Sequence, residues 1–353
     1  MTTAQRIAIK HDPALVDGEG HVVGHDAGST LVRRLLRVFP GAELIGPGPR
    51  RCAGFDLIPL EFVDPVTTVV INMDVLDSVD VWRTMRPAGG DPRIMNFVWW
   101  PATSYPDPVE QASLALSCAL FPTFANSERT ATEVREVVAR WTVSELAKKS
   151  KVAWVNLGFR LDHVRPRHDP AIPLVLYPAI YVSERKQPRL FLEVVERVHE
   201  KVPIRVEARL HESHLVSELA MRMSGRDWMW VGPLTSTRDS YWDALSRTTA
   251  FLATATEESY GLEYVEALAA GAVGIFPDLP WAHALVPDDY PYFYRTPGEA
   301  EEMLLRAVTD PATCWKEIDE SAGGSLSRWL RDRHSDDLFD RAIVARVHEW
   351  FGV

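Results

Sequence analysis

The chain has 353 residues, 46% hydrophobic and 25% charged, with a formal net charge of −11. That length suits two domains of middling size, and the composition excludes a disordered chain. The acidic balance opposes a general nucleic-acid binder, which needs a basic face, but leaves room for one small positive site holding a nucleotide-sized anion.

The apolar pattern predicts an α/β protein with parallel sheets, because short Val- and Ile-rich runs alternate with amphipathic segments. In the first half strands are expected at Arg6–Lys10, Ala42–Ile45, Leu57–Phe62, Thr68–Met73, Arg93–Trp99 and Lys151–Asn156. Helices are expected at Ser29–Val38, Asp107–Leu120 and Ser127–Arg140, the last with Ser127 as N-cap. Met1–Pro13 has no apolar h-region, no run of about 18 apolar residues occurs, and Cys52, Cys118 and Cys314 lack metal-ligand spacing. A cytoplasmic protein with reduced thiols is the expectation. Arg33, Arg34 and Arg37 beside apolar neighbours leave a peripheral membrane contact open.

Val164–Pro173 holds three prolines and no periodicity, which is linker chemistry. Domains are accordingly expected at 1–165 and 172–334, with a helix over 335–353 packing back on the first. In the second half strands are expected at Leu174–Tyr181, Ile204–Arg209, Trp228–Val231, Ala250–Ala255, Ala272–Phe276 and Tyr292–Tyr294. Helices fit Gln187–Lys201, Ser213–Met223, Ser240–Ser246, Gly261–Ala270 and Gly298–Val308.

The chemistry concentrates in residues 250–276. A β-rich run leads into a polar turn, then a helix with Leu262, Val265, Leu268 and Ala269 at helical spacing and Gly271 as its stop. Ser259, Tyr260, Gly261 and Leu262 therefore fall at a helix N-terminus, where backbone N–H groups and the positive dipole end suit a diphosphate. Glu258 precedes the helix and Glu266 lies within it. Carboxylates accept paired hydrogen bonds from diols, so Glu258 suits a sugar and Glu266 a ribose. From spacing alone, two solvated helix charges remain the simpler account.

Glu258-Ser259-Tyr260-Gly261-Leu262, followed by Glu266-Ala267-Leu268-Ala269-Ala270-Gly271, is similar to the Glu-x7-Glu signature of retaining glycosyltransferases with the GT-B fold, often called family 4. Trp228 to Leu234, with Gly232, looks like that family's strand and loop beside the nucleotide base. The resemblance covers about residues 225–310 and implies two Rossmann-like domains facing each other across a cleft. It further implies transfer of a hexose from a nucleoside-diphosphate sugar, with Glu258 on the donor sugar and Glu266 on the ribose. Backbone groups of Ser259 to Leu262 would hold the diphosphate. No essential metal and no cofactor are expected, and no Asp-x-Asp triad occurs.

The family's phosphate-binding Arg and Lys map to the stretch Ala179 to Lys186. Lys186 matches the Lys, while Ile180 stands where the Arg is expected, and Arg185 is the available substitute. On the acceptor side, Gly24 to Ser29, with His25 and Gly28, is the counterpart of a Gly-rich loop. The strand ending Trp99-Trp100-Pro101 lacks the family's His, and Trp100 is a candidate acceptor platform. The acceptor, whether small molecule, glycan or protein, stays open. So does a non-catalytic, glycosyltransferase-like binding subunit, or an enzyme modifying a phage or cell macromolecule.

Overall fold

A computed structural model describes residues 6–24, 26–102, 105–235 and 237–352. The chain divides into two compact units, one running up to Asn156 and resumed from Phe339, the other comprising Leu157–Leu338. The division after Asn156 falls ahead of Val164–Pro173, which lies wholly inside the second unit.

The first unit carries an eight-stranded sheet. Its strands are β1 (Arg6–Lys10), β2 (Glu43–Ile45), β3 (Arg50–Arg51), β4 (Asp56–Ile58), β5 (Thr68–Asn72), β6 (Arg93–Val98), β7 (Thr123–Ala125) and β8 (Val152–Trp154). They lie in the order β8-β7-β6-β5-β1-β2-β4-β3, all parallel except the edge pair of β3 with β4. Every residue of β5 is buried, as expected of a parallel strand covered on both faces, which is why it reads as a continuous apolar run. The helices Ala27–Val38 (α1), Ser78–Met85 (α2), Pro108–Leu120 (α3) and Glu128–Trp141 (α4) connect the strands.

Local chemistry explains where elements start and stop. The expected strand Leu57–Phe62 ends at Ile58, because Pro59 has no N–H for the ladder, and a 3₁₀ turn over Leu60–Phe62 follows. Helix α2 was not expected, since Val79 and Val81 alternate like a strand. Strand β7 is only three residues long, too short to announce itself, although all three are buried.

The second unit has six strands: β9 (Leu174–Tyr177), β10 (Arg205–Leu210), β11 (Met229–Pro233), β12 (Ala250–Leu252), β13 (Val273–Pro277) and β14 (Phe293–Tyr294). Their order is β11-β10-β9-β12-β13-β14 and all are parallel. Helices Pro188–Lys201 (α5), Arg238–Leu245 (α6) and Leu262–Ala269 (α7) come after β9, β11 and β12 respectively along the chain. The expected helix Ser213–Met223 is split into Glu212–Leu215 and Glu218–Ser224, because Ser217 caps a new start by accepting from the Ala220 N–H at 3.2 Å.

Helices Leu326–His334 (α8) and Asp336–Phe351 (α9) close the chain. From Phe339 onward α9 belongs to the first unit, where the Phe339 ring lies 5.7 Å from Phe97 and 5.8 Å from Phe124. Asp340 accepts from Arg34 at 2.8 Å and from Arg37 at 3.0 Å, and Arg33 donates to the carbonyls of Val22 and Gly24. The basic face of α1 thus works as an internal fastening. Among the described residues no helix is long and apolar enough to cross a membrane.

Candidate functional site

In an open parallel sheet, ligands bind beyond the carboxyl ends of the strands where the strand order reverses. In the second unit that point lies between β9 and β12. The chain leaves β9 into a 3₁₀ turn, Glu184–Lys186, and leaves β12 into the Glu257 to Gly261 turn. Hydrogen bonds hold these loops together: Thr254 Oγ1 donates to the Lys186 carbonyl at 2.7 Å, and Thr256 donates its N–H at 2.8 Å and its hydroxyl at 3.3 Å to the Arg185 carbonyl. Gln187 then takes a left-handed conformation, φ 43°, and turns the chain into α5.

The result is a compact charged cluster. The Lys186 ammonium donates to Glu258 Oε1 and, at 3.1 Å, to Glu263 Oε1. Tyr264 donates its hydroxyl to the same Glu258 oxygen at 2.8 Å, and its ring lies 5.9 Å from the ammonium. Burial disfavours the Lys186 cation, but Glu263 and Glu258 outweigh it and raise the lysine above its ordinary range. Lys186 is therefore a permanent cation and not a base. Glu263 is pushed up to about 7, by burial first, with Lys186 opposing and Glu258 adding.

Gly261 starts α7 at φ 80°, and a Cβ there would come within 2.8 Å of Leu285 and of the Tyr264 ring. Only glycine makes this turn. It aims the first-turn N–H groups of Leu262 and Glu263 out of the helix end, where helix geometry provides them no acceptor. One turn further in, Glu266 is 3% exposed and each of its oxygens accepts one hydrogen bond: Arg238 donates to Oε1 and Tyr241 to Oε2, the latter at 2.8 Å. Arg238 is itself stacked over Tyr241 at 4.9 Å.

The remaining residues singled out from the sequence occupy varied settings. The Ser259–Leu262 backbone lies at the start of α7. The Tyr260 side chain instead turns into the core, where its hydroxyl accepts from the Gly158 N–H at 3.1 Å and bonds His334 Nδ1 at 2.6 Å. Arg185 pairs with Glu257 at 3.5 Å. Gly232 lies within β11 against Trp230, whose indole would be 2.2 Å from a Cβ, so packing alone accounts for the glycine. Glu263, Tyr264, Arg238 and Tyr241 complete the cluster and were not singled out from the sequence.

The first unit has its own switch point, between β1 and β5. There Lys10, 6% exposed, bonds Asp12 at 2.8 Å, Asp74 at 3.3 Å and Asp77 at 2.7 Å. His11 Nδ1 lies 2.9 Å from Asp74, and the His11 ring packs edge-on to Trp99 at 5.8 Å. Gly28 fits against His11, since a Cβ would sit 2.3 Å from His11 Nε2. Trp100 stands beyond β6, edge-on to Trp99 at 5.3 Å and to Tyr105 at 5.9 Å. His25 lies outside the described residues.

Two switch-point sheets of this kind invite comparison with solved structures. Sucrose-phosphate synthase from Thermosynechococcus elongatus superposes with a TM-score of 0.72 at 12% identity, covering 99% of both chains. The α,α-trehalose 6-phosphate synthase of Burkholderia multivorans gives 0.71 at 12%, covering 98% of this chain and 97% of that one. TarM from S. aureus gives 0.62 at 11%, covering 80% of this chain and 56% of its own.

The chain has the GT-B fold.

No protein-family model matches it, and no curated protein sequence does either. Within this GT-B fold the second unit carries the Glu258 to Glu266 cluster, and the first carries the Lys10, His11 and Asp74 cluster. The sequence signal for the latter is weak: a Lys-His pair at the end of the first strand, and Asp74 and Asp77 just beyond the apolar run Thr68–Met73.

Proposed function

We propose that this protein is a retaining glycosyltransferase that moves a hexose from a nucleoside-diphosphate sugar to an acceptor hydroxyl. One observation carries the reading: Lys186, Glu258 and the start of α7 meet at the switch point of the second unit, with Glu266 buried one turn along. The structural neighbours, which include UDP-forming trehalose-phosphate synthases, support the same reaction class.

Each group has a role that its chemistry allows. Glu266 accepts from the ribose diol with the lone pairs left over by Arg238 and Tyr241. The α7 N-terminus and Lys186 take the diphosphate, so Lys186 exchanges carboxylate oxygens for phosphate oxygens when donor arrives. Arg185, across from Glu257, supplies the second positive charge in place of the arginine that Ile180 replaces. Glu258, steadied by Tyr264, accepts from the hexose hydroxyls.

The bond from the anomeric carbon to the diphosphate oxygen breaks, its electron pair stays on the diphosphate, and the acceptor oxygen bonds the same face. The departing diphosphate takes the acceptor proton. Lys186 and the helix end stabilise the charge that grows on the leaving group. This scheme needs no metal.

The replacement of the expected arginine by Ile180 favours one other reading, a partner subunit that binds nucleotide sugars without turning them over. Incubation with UDP-, GDP- and TDP-hexoses separates the two. Release of nucleoside diphosphate, lost in Lys186→Ala, supports the enzyme. Nucleotide-induced thermal stabilisation with no release supports the partner subunit.

A further inference from the structure

Beside the Lys10 cluster the first unit has a cavity of about 410 Å³, lined by Asp74, Leu76, Asp77, Trp99, Trp100 and Tyr105. That volume falls in the range of small-molecule pockets, roughly 300–1,000 Å³. Its surface is mostly apolar and aromatic, and among the described residues that line it the only charged side chains are two carboxylates.

Lys10 does not offset them. Its ammonium is 6% exposed and already holds Asp12, Asp74 and Asp77. Burial disfavours its charge, but the bonds to Asp12 and Asp77 prevail and raise it above the ordinary range. Asp74 remains ionised: burial opposes this, but His11, the Asp12 N–H and Lys10 hold it below the usual carboxylate range. Tyr105 keeps its proton, since burial, Glu110 and Asp74 push it up to about 12. Asp26, in the same unit, already caps α1, accepting from the Ser29 N–H at 2.8 Å and the Ser29 hydroxyl at 2.6 Å.

A phosphate bound here would meet two anions and no lining Lys or Arg among the described residues, whereas phosphate sites are built from guanidinium, ammonium or free N–H groups. The opposite chemistry fits. Carboxylates accept from hydroxyl and ammonium groups, and aromatic faces cover the C–H side of a saturated ring. The indole N–H groups of Trp99 and Trp100 have no hydrogen-bond partner among the described residues, although each is a donor that buried sites normally satisfy.

We propose that this cavity binds a hydroxyl-bearing ring without an anionic group, and that this ring is the glycosyl acceptor. Only the second half rests on the glycosyltransferase reading. The acceptor class then differs from the phosphorylated sugars in the names of the trehalose-phosphate and sucrose-phosphate synthases. Trp100 and Tyr105 are its specificity-determining residues, and Asp74 and Asp77 exclude phosphate.

Calorimetric titration of the full chain, without donor, with methyl α-glucoside, glucosamine and glucose 6-phosphate tests this. The glucoside or the glucosamine is expected to bind at least about tenfold more tightly than glucose 6-phosphate, the scale of one like-charge contact. Trp100→Ala, or Tyr105→Ala should the first not fold, is expected to weaken that binding about tenfold, the scale of an aromatic contact. A preference for one ring over the other identifies a neutral or an amino-bearing acceptor, and either supports the proposal.

Tighter binding of glucose 6-phosphate overturns it. So does equal binding by both variants, or no binding by either unphosphorylated ring at about 50 mM, a concentration well above common KM values. Thermal shift by UDP, GDP and TDP reads the donor site separately: its absence would sink the glycosyltransferase reading and leave the ring-binding result standing.

Discussion

The Glu263 carboxylate lies 3.1 Å from the Lys186 ammonium, so a residue outside the two signature glutamates competes for the cation assigned to the donor diphosphate. Glu258 shares that ammonium. Two carboxylates on one cation, in a buried setting, leave one of them short of compensation, which is why Glu263 titrates near neutrality.

A carboxylate whose folded pKa is raised destabilises the fold where it is ionised. Glu263 thus costs stability above about pH 7, and the cost fades as pH falls from about 7 toward its unfolded value near 4.5. Glu263→Gln, which mimics the protonated form, is expected to raise Tm at pH 8 and to leave it nearly unchanged at pH 5. A larger gain at pH 5 than at pH 8 would contradict the assignment.

Removing the cation tests the chemistry. Lys186→Ala is expected to lower kcat by about 10²–10³, the usual loss for one preorganised transition-state donor. Lys186→Arg should recover part of that, since a guanidinium keeps the charge but needs more room than the ammonium site provides. Full activity in Lys186→Ala, with the variant folded, would remove Lys186 from the mechanism.

Glu266 ties stability to nucleotide binding. Glu266→Ala leaves the half-buried Tyr241 hydroxyl without its acceptor, at a cost of about 1–3 kcal/mol. Nucleoside diphosphate affinity should fall with it, whereas Tyr241→Phe should lower stability and spare most of the affinity. Chemical denaturation and calorimetry with UDP or GDP measure both.

His334 is wholly buried, and burial first, then Arg333, lowers its pKa to about 3. Its neutral form is favoured by folding, so this contribution is present above about pH 6.5 and is lost as pH falls from there toward 3. Neutral His334 shares a 2.6 Å hydrogen bond between its Nδ1 and the Tyr260 hydroxyl. Tyr260→Phe is expected to cost about 1–3 kcal/mol, with nucleotide affinity unchanged because only the backbone of this residue faces the site. His334→Gln should flatten the acid limb of the stability curve between pH 6.5 and 4.

Gly28→Ala probes the first unit. The added methyl would meet His11 Nε2 at 2.3 Å, so the His11–Asp74 pair must move. Lower Tm and weaker binding of unphosphorylated rings are expected together. An unchanged titration would show that His11 does not position Asp74 for the ring.

Much of the second unit was legible because its information is local. The β12–α7–β13 segment carries its apolar runs, its left-handed glycine and both signature glutamates within one short stretch, so period and turn chemistry place them without tertiary help. Boundaries failed where one atom decides, as at Pro59, which lacks an N–H, and at Ser217, whose hydroxyl starts a new helix.

By itself, then, the sequence determined the alternating α/β architecture and the helix start at Gly261. Hydrophobic periodicity and backbone preference act between near neighbours, and they can be read along the chain. The tertiary structure alone decided which side chains share a charge. Lys10, Asp74 and Trp99 leave three different strands, and Glu266 meets Arg238 and Tyr241 from another helix. Sheet order and helix docking bring these groups together, and only there, out of bulk water, do burial and distance make Glu263 titrate near neutrality and keep Lys186 charged.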